Sequence, residues 1–318
     1  MQNGNATIVF LGTGSSNPVE NRWLPSILLK IRNSFLLLDC GEGSQYRILK
    51  AGLRVNKLSA ILITHLHGDH IYGLPGLLES LEMWGRTKPL PILGPPGVRD
   101  FLNATVLRKA LDYGIEIREI SPGLVLSEKG YNVYAIAANH GVDSYAYVIV
   151  ESNIPGRFNT KKANELGLPP GPLRRKLVLG EPVTLPDGTV VKPEDVVGKP
   201  RKGLKIVYSG DTSPCDRIIE ASLNADVLIH EATFSSTNEY EARASFHSTA
   251  IDAAQVASHA AVKLLLLTHF SSRYVELTNL LNEARTVFKR TYLSKDMLKV
   301  ELKRWVNEWL LVEFETIK

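Results

Sequence analysis

Short apolar runs that close on glycine recur along this chain. TIVFLGTG, SILLKI and SFLLLDCGEG come first, each rich in β-branched or large apolar residues, and read as strands. SQYRILKAGL has helical spacing. LSAILIT is a continuous apolar run, as expected of a strand covered on both faces. IYGLPGLLESLEMW is again helical, and LPILGPPGV and NVYAIAANHG are strands ending in turns. Residues 155–203 break the pattern. It resumes with LKIVYSGD, ADVLIHEATF and VKLLLLTHF. Between the last two, HSTAIDAAQVASHAA is a helix starting near Ser248 or Thr249. Strands cluster early and alternate with helices late, which points to layered α/β architecture with helices outside a sheet core.

The informative polar residues stand where these runs stop. ITHLHGDH, residues 63–70, places three of the eight histidines and an aspartate just after LSAIL. AIAAN is followed by His140, IVYSG by Asp211 and LLLLT by His269. Carboxyl ends of strands are where α/β proteins build their sites. His65 and His67 are two apart, so an extended segment points them the same way. Gly68 permits a tight turn, from which Asp69 and His70 reach the same place. An aspartate among three histidines has no packing rationale, and these side chains are habitual metal ligands. A zinc ion takes about four ligands, and a catalytic one leaves a position for water, so the string exceeds the needs of one ion. Two ions about 3.5–4 Å apart, sharing a carboxylate, would use them all. His230, inside a strand run, and His259, late in a helix, keep an ordinary structural reading.

Composition adds limits. The 318 residues, 44% hydrophobic, suffice for a sizeable core in one large domain or two small ones. No apolar run approaches the roughly 18 residues of a membrane span, and MQNGNATIVF lacks the features of a secretory signal. Cys40 and Cys215 form no CxxC pair, which argues against a disulfide framework or zinc ribbon. The expected setting is the cytoplasm, away from membranes. The net charge of +4 is modest but unevenly placed. Pro155 to Gly203 holds ten Lys or Arg against five acids, and eight of the 17 prolines. A long basic insertion reads as an arm for a polyanion or as a solvated loop.

HxHxDH followed downstream by His, Asp and His resembles the metallo-β-lactamase superfamily, along nearly the whole chain. The resemblance implies one domain over 1–318, a four-layer αββα sandwich with two metals at one edge of its sheets. It implies that His65, His67 and His140 hold one ion, that Asp69, His70 and His269 hold the other, and that Asp211 bridges them. Membership alone does not set the substrate.

Three further stretches resemble the tRNase Z (ribonuclease Z) family. FNTKKANELGLPPGPLRRKLVLGEPVTLPDGTVVKPEDVVG is similar to that family's flexible arm, or exosite, and LGLPPGPLRRKLVLGE is its most specific part. In that family the arm clamps the elbow of a transfer RNA and works across a homodimer. The resemblance implies the same for residues 155–203, a protruding basic arm with Lys161, Lys162, Arg174, Arg175 and Lys176 on RNA. A proline-rich clamp is expected to bury no core of its own and to move on a stiff stalk. HEATF with FHST is the second stretch. Glu231 ends a strand run and His247 opens the next helix. A carboxylate on an imidazole sets its tautomer and raises its basicity, so His247 is the expected acid, oriented by Glu231. FLGTGSSNPVENRWLPS with LLLDCGEGSQ is the third, with glycines that free backbone N–H groups for a phosphate. Many bacterial members carry Arg-Asn in this loop, whereas here Asn21, Arg22 and Trp23 follow one another. Arg22 is expected on RNA and Trp23 on an unpaired base, and discrimination against mature CCA ends is left open.

Together these imply a zinc-dependent endoribonuclease, with manganese or another divalent ion as the alternative. It would remove the 3′ trailer of precursor tRNA, cutting after the discriminator nucleotide to leave a 3′-hydroxyl. Asp69 would both ligate and take the proton of the attacking water. A small-molecule phosphodiesterase or lactonase on the same site is another reading, and an RNA-binding protein with structural metals is a third. The C-terminal LKVELKRWVNEWLLVEFETIK ends in a strand or a helix and receives no function.

Overall fold

A computed structural model describes residues 6–106, 111–304 and 310–317. They fall into two compact units, Met1–Ile149 with Lys205–Lys318, and Val150–Leu204.

The larger unit is built on two sheets. The first has eight strands in the order Leu310–Thr316, Leu298–Arg304, Ala6–Gly12, Ser26–Ile31, Ser34–Leu38, Leu58–Leu62, Leu90–Gly94 and Ile115–Glu119. The second has seven, in the order Thr291–Leu293, Leu265–Thr268, Val227–Glu231, Lys205–Tyr208, Tyr145–Glu151, Tyr131–Ala137 and Gly123–Glu128. The last four strands of the first sheet run parallel, as do the first four of the second. Parallel strands are covered on both faces, which explains their unbroken apolar sequences. Val227–Glu231 is buried at every position. Ile48, Leu77, Leu81 and Leu102, from helices Ser44–Lys50, Gly73–Met83 and Val98–Thr105, join Val9, Leu37, Ile61 and Ile92 of the first sheet in one buried cluster. Helix Ala250–His259 packs on Val227–Glu231 and Leu265–Thr268 of the second sheet. Helices outside two sheets make the four-layer αββα sandwich of the metallo-β-lactamase fold.

Two strands escape an apolar-run reading, Ile115–Glu119 and Gly123–Glu128. Each is the last strand of its sheet, and most of its residues are partly or fully exposed. An edge strand needs no continuous apolar sequence. The C-terminal segment supplies two antiparallel strands, with Leu298 opposite Thr316, and so finishes the first sheet. Among the described residues no helix is long and apolar enough to cross a membrane.

The smaller unit corrects one expectation. Val150–Leu204 does bury a core of its own: Ala163, Leu168, Leu177, Val183, Leu185, Val191 and Val196, with Phe158 and Leu173 packed against it. Its prolines frame the elements instead of breaking them. Pro172 and Pro193 open the helices Pro172–Val178 and Pro193–Val196, where a missing N–H costs nothing. The ends of the segment pair antiparallel, Ile154 with Arg201 and Phe158 with Val197.

Candidate metal centre

The strand Leu58–Leu62 delivers Thr64 and His65, and His67 follows in extended conformation. A one-turn helix, Gly68–Ile71, then carries Asp69 and His70. Tyr131–Ala137 leads to His140, Lys205–Tyr208 to Asp211 and Leu265–Thr268 to His269. Gly210, at φ 58, makes the turn before Asp211, and a Cβ there would stand 2.9 Å from the Thr64 methyl. His269 itself is held at φ 59, a costly conformation for a side-chain-bearing residue and one typical of functional sites.

These elements bring all seven expected ligands together. His65 Nε2 lies 3.0 Å from His67 Nδ1, His140 Nε2 lies 3.1 Å from the same atom, and His70 Nε2 lies 3.3 Å from His269 Nε2. Asp211 Oδ2 is 3.2 Å from His269, 3.3 Å from His70 and 3.7 Å from both His65 and His140. Asp69 Oδ2 is 3.5 Å from His70 and from His269. His67 is the exposed member, while His65, His70, His140, Asp211 and His269 are buried.

The outward hydrogen bonds fix what faces inward. His70 Nδ1 donates to Asp39 Oδ2 at 2.8 Å, and His140 Nδ1 to the Phe246 carbonyl at 3.0 Å. His269 Nδ1 meets Thr233 Oγ1 at 2.8 Å, and that hydroxyl donates onward to Glu231 Oε2 at 2.6 Å. His65 Nδ1 meets Thr64 Oγ1 at 2.9 Å, whose hydroxyl donates to Asp39. In the neutral tautomers this leaves four bare Nε2 lone pairs around one carboxylate. Asp211 Oδ1 is buried with no hydrogen-bond partner. Converging lone pairs and an orphaned carboxylate oxygen fit a divalent cation, and N and O donors of this kind suit zinc-type ions.

Electrostatics agree. Burial lowers the His70 pKa, yet Asp211, Asp39 and Asp69 raise it well above its ordinary value. Burial would raise Asp69 and Asp211, but the neighbouring His70 and His269 hold both carboxyls well below the usual range. The pocket therefore demands positive charge.

Asp39 is the residue that sequence reading missed. It is fully buried at φ 57, and it accepts from Thr64 N at 2.7 Å and Tyr208 Oη at 2.8 Å besides His70. Outer partners of this kind orient a ligand and typically matter about 10–100-fold for metal affinity. Asp39→Asn is accordingly expected to lower zinc affinity by roughly that factor. Competition against a chromophoric chelator measures it, and a thermal melt in chelator reports the fold separately. Unchanged affinity would remove Asp39 from the site.

Next to the cluster stands the expected pair. His247 Nδ1 is 2.8 Å from Glu231 Oε1 and 4.0 Å from Asp211 Oδ2. Burial alone would lower the His247 pKa, but the Glu231 carboxylate raises it to about 9. His247 precedes the helix and does not open it, because Thr249 is the cap, with Asp252 completing the capping box.

The remaining predicted residues have varied settings. Arg22 donates to the carbonyls of Ser271 and Tyr274. Trp23 lies over Gly43, with the Arg47 guanidinium 5.5 Å from its ring centre. In the smaller unit Arg174 donates to the Leu168 and Pro169 carbonyls and to Asn164, and stacks on Phe158. Lys161, Lys162, Arg175 and Lys176 are exposed. His230 is buried and donates to the Glu231 carbonyl, outside the metal-type cluster, and His259 is exposed at its helix end.

Known proteins share this architecture. Family models match residues 6–122, described as anti-Pycsar protein Apyc1, and residues 191–270, described as beta-lactamase superfamily domain. Ribonuclease Z of Methanosarcina mazei is 42% identical over 298 residues, covering 93% of this chain and 97% of that one. Ribonuclease Z of Microcystis aeruginosa is 44% identical, covering 96% and 98%. The crystal structure of human tRNase Z, short form, superposes with a TM-score of 0.67 at 27% identity, covering 92% of this chain and 98% of that one. Fold and site together define a metallo-β-lactamase-fold hydrolase. Within that class the chain belongs to the ribonuclease Z family, nucleases that hydrolyse phosphodiester bonds.

Proposed function

We propose that this protein is a zinc-dependent endoribonuclease that removes the 3′ trailer of precursor tRNA, cutting after the discriminator nucleotide. The observation that carries the reading is an imidazole already paired with a carboxylate, 4.0 Å from the Asp211 oxygen at the centre of the ligand cluster. His65, His67 and His140 would hold one ion, Asp69, His70 and His269 a second, with Asp211 shared; manganese or another divalent ion fits the same donors. Bound there, such ions would supply a water ionised near neutral pH and neutralise charge on the phosphate. Asp69, kept in place by the Ser16 N–H at 2.8 Å, takes the proton of the attacking water. His247, with Nδ1 engaged by Glu231, gives a proton from Nε2 to the departing 3′ oxygen, which leaves the tRNA with a 3′-hydroxyl. Residues 155–203 form the arm that grips RNA, through Lys161, Lys162, Arg174, Arg175 and Lys176. Arg22, which also donates to the Ser271 and Tyr274 carbonyls, meets RNA beside the site. The reading also carries a homodimer, with the arm acting across subunits, and a cytoplasmic setting, which the free thiols of Cys40 and Cys215 suit.

Incubation with a 3′-extended precursor tRNA in zinc buffer, with a chelator control, tests it. One cut after the discriminator, lost in chelator, is the expected result. Absence of any cut, with a small phosphodiester still hydrolysed, would overturn the substrate.

The acid has its own test. With Glu231 present, His247 keeps its proton until pH rises to about 9 in the metal-free protein, and bound cations lower that point. Glu231→Gln removes the main raising influence, so the basic limb of the kcat profile moves to lower pH. The rate at pH 8 is expected to fall about a hundredfold, the usual scale of general acid catalysis. A limb that stays in place would exclude His247 as the acid.

A further inference from the structure

Helix Glu239–Ala244 ends in a hydrogen-bonding pattern that normally calls for glycine. Phe246 N donates to the Arg243 carbonyl at 3.3 Å and His247 N to the Ala242 carbonyl at 2.8 Å, a Schellman motif with Ser245 as the cap. The left-handed position of that motif is held by Phe246, at φ 56. A bulky residue there is strained, and glycine would relieve it. Core packing does not account for the ring, since Phe246 is 44% exposed. The ring instead lies against the backbone of Gly141, where a Cβ would meet its Cδ2 at 3.0 Å. The same residue's carbonyl receives the His140 Nδ1 proton at 3.0 Å, and the next residue is His247. An unburied aromatic face is thus fixed beside both a cluster histidine and the paired imidazole. Trp23, the aromatic that the sequence suggested for stacking, is half-buried, with Gly43 and the Arg47 guanidinium against its ring.

We propose that the Phe246 ring is the stacking platform for an unpaired nucleobase flanking the scissile phosphate, an inference that rests on the RNA reading above. A ring face accepts any base, so its contribution is to position the strand and not to read its sequence. The engaged carbonyl and following amide hold the Cα–Cβ bond in place, and the contact with Gly141 sets the ring.

The experiment compares wild type, Phe246→Gly and Phe246→Tyr on precursor tRNA and on versions with an abasic nucleotide on either side of the cut. Phe246→Gly should fold at least as stably, since glycine suits the turn, and a thermal melt checks this. Its KM is expected to rise about tenfold or more, with kcat within about threefold, and Phe246→Tyr restores it. An abasic site on one side should penalise the wild type by the same factor and Phe246→Gly hardly at all. An unchanged KM in Phe246→Gly, or ring and base penalties that multiply in full, overturns the platform. A wild type that cleaves a small phosphodiester but no RNA defeats the substrate reading itself, and the platform with it.

Discussion

Asp211→Ala is expected to lower kcat/KM on precursor tRNA about a thousandfold, a loss of about 4 kcal/mol in transition-state stabilisation. Four imidazoles bring nitrogens within 3.2–3.7 Å of Asp211 Oδ2, and its Oδ1 has no protein partner. Among the described residues Asp69 pairs with His70 and His269 and with no other cluster histidine, so it does not span both halves as Asp211 does. Without Asp211 the two histidine groups lose their common anion, and two cations would repel each other across a buried gap. Elemental analysis of the dialysed variant should therefore find well under the wild-type metal content. Full activity with full metal content in Asp211→Ala would sink the shared-ligand assignment.

Deleting residues 156–198 separates substrate grip from chemistry. The cut points are close in space: a Cβ on Gly156 would fall 1.6 Å from the Gly198 carbonyl oxygen. Joining Pro155 to Lys199 keeps the Ile154–Arg201 pairing and removes the small apolar core whole, so no half-core is left exposed. The larger unit keeps all of the candidate ligand cluster and is expected to stay folded. Hydrolysis of a small phosphodiester should change less than about twofold, because no residue of the cluster is touched. KM for precursor tRNA should rise about a hundredfold at physiological salt, and its salt dependence should flatten as cationic phosphate contacts are lost. RNA cleavage at the wild-type level would end the arm's proposed role.

The clustered residues were legible because they follow the ends of apolar strand runs, where a charged or imidazole side chain has no packing use. HxHxDH announces itself by crowding. Asp39 gives no such signal: it stands alone in LLLDCGEG, 31 positions before His70, and only the fold brings them to 2.8 Å. Thr233 and the Phe246 carbonyl act through a hydroxyl and a backbone atom, and neither group marks a sequence. Residues 155–203 stand out in the sequence by charge and prolines, and they fall within the smaller compact unit. The core of that unit was not legible, because seven small and branched apolar residues spread among prolines carry no period. Arg22 and Arg174 also satisfy loop carbonyls in the free protein, a local role that charge in a sequence does not reveal. Edge strands were missed because half-exposed positions dilute the apolar pattern that marks central ones.

One consequence concerns the order in which this molecule is made. His70 and His269 face each other across 3.3 Å yet lie 199 positions apart in the chain. The first supplies its nitrogen from beside one sheet and the second from beside the other. No fragment emerging early in synthesis can hold both, and contacts so distant are among the slowest to form. Capture of a cation by this cluster would therefore be a late event that seals the two sheets together, and its release a report of their parting. The exchange rate of a bound ion against a competing chelator would then clock the breathing of the sandwich itself.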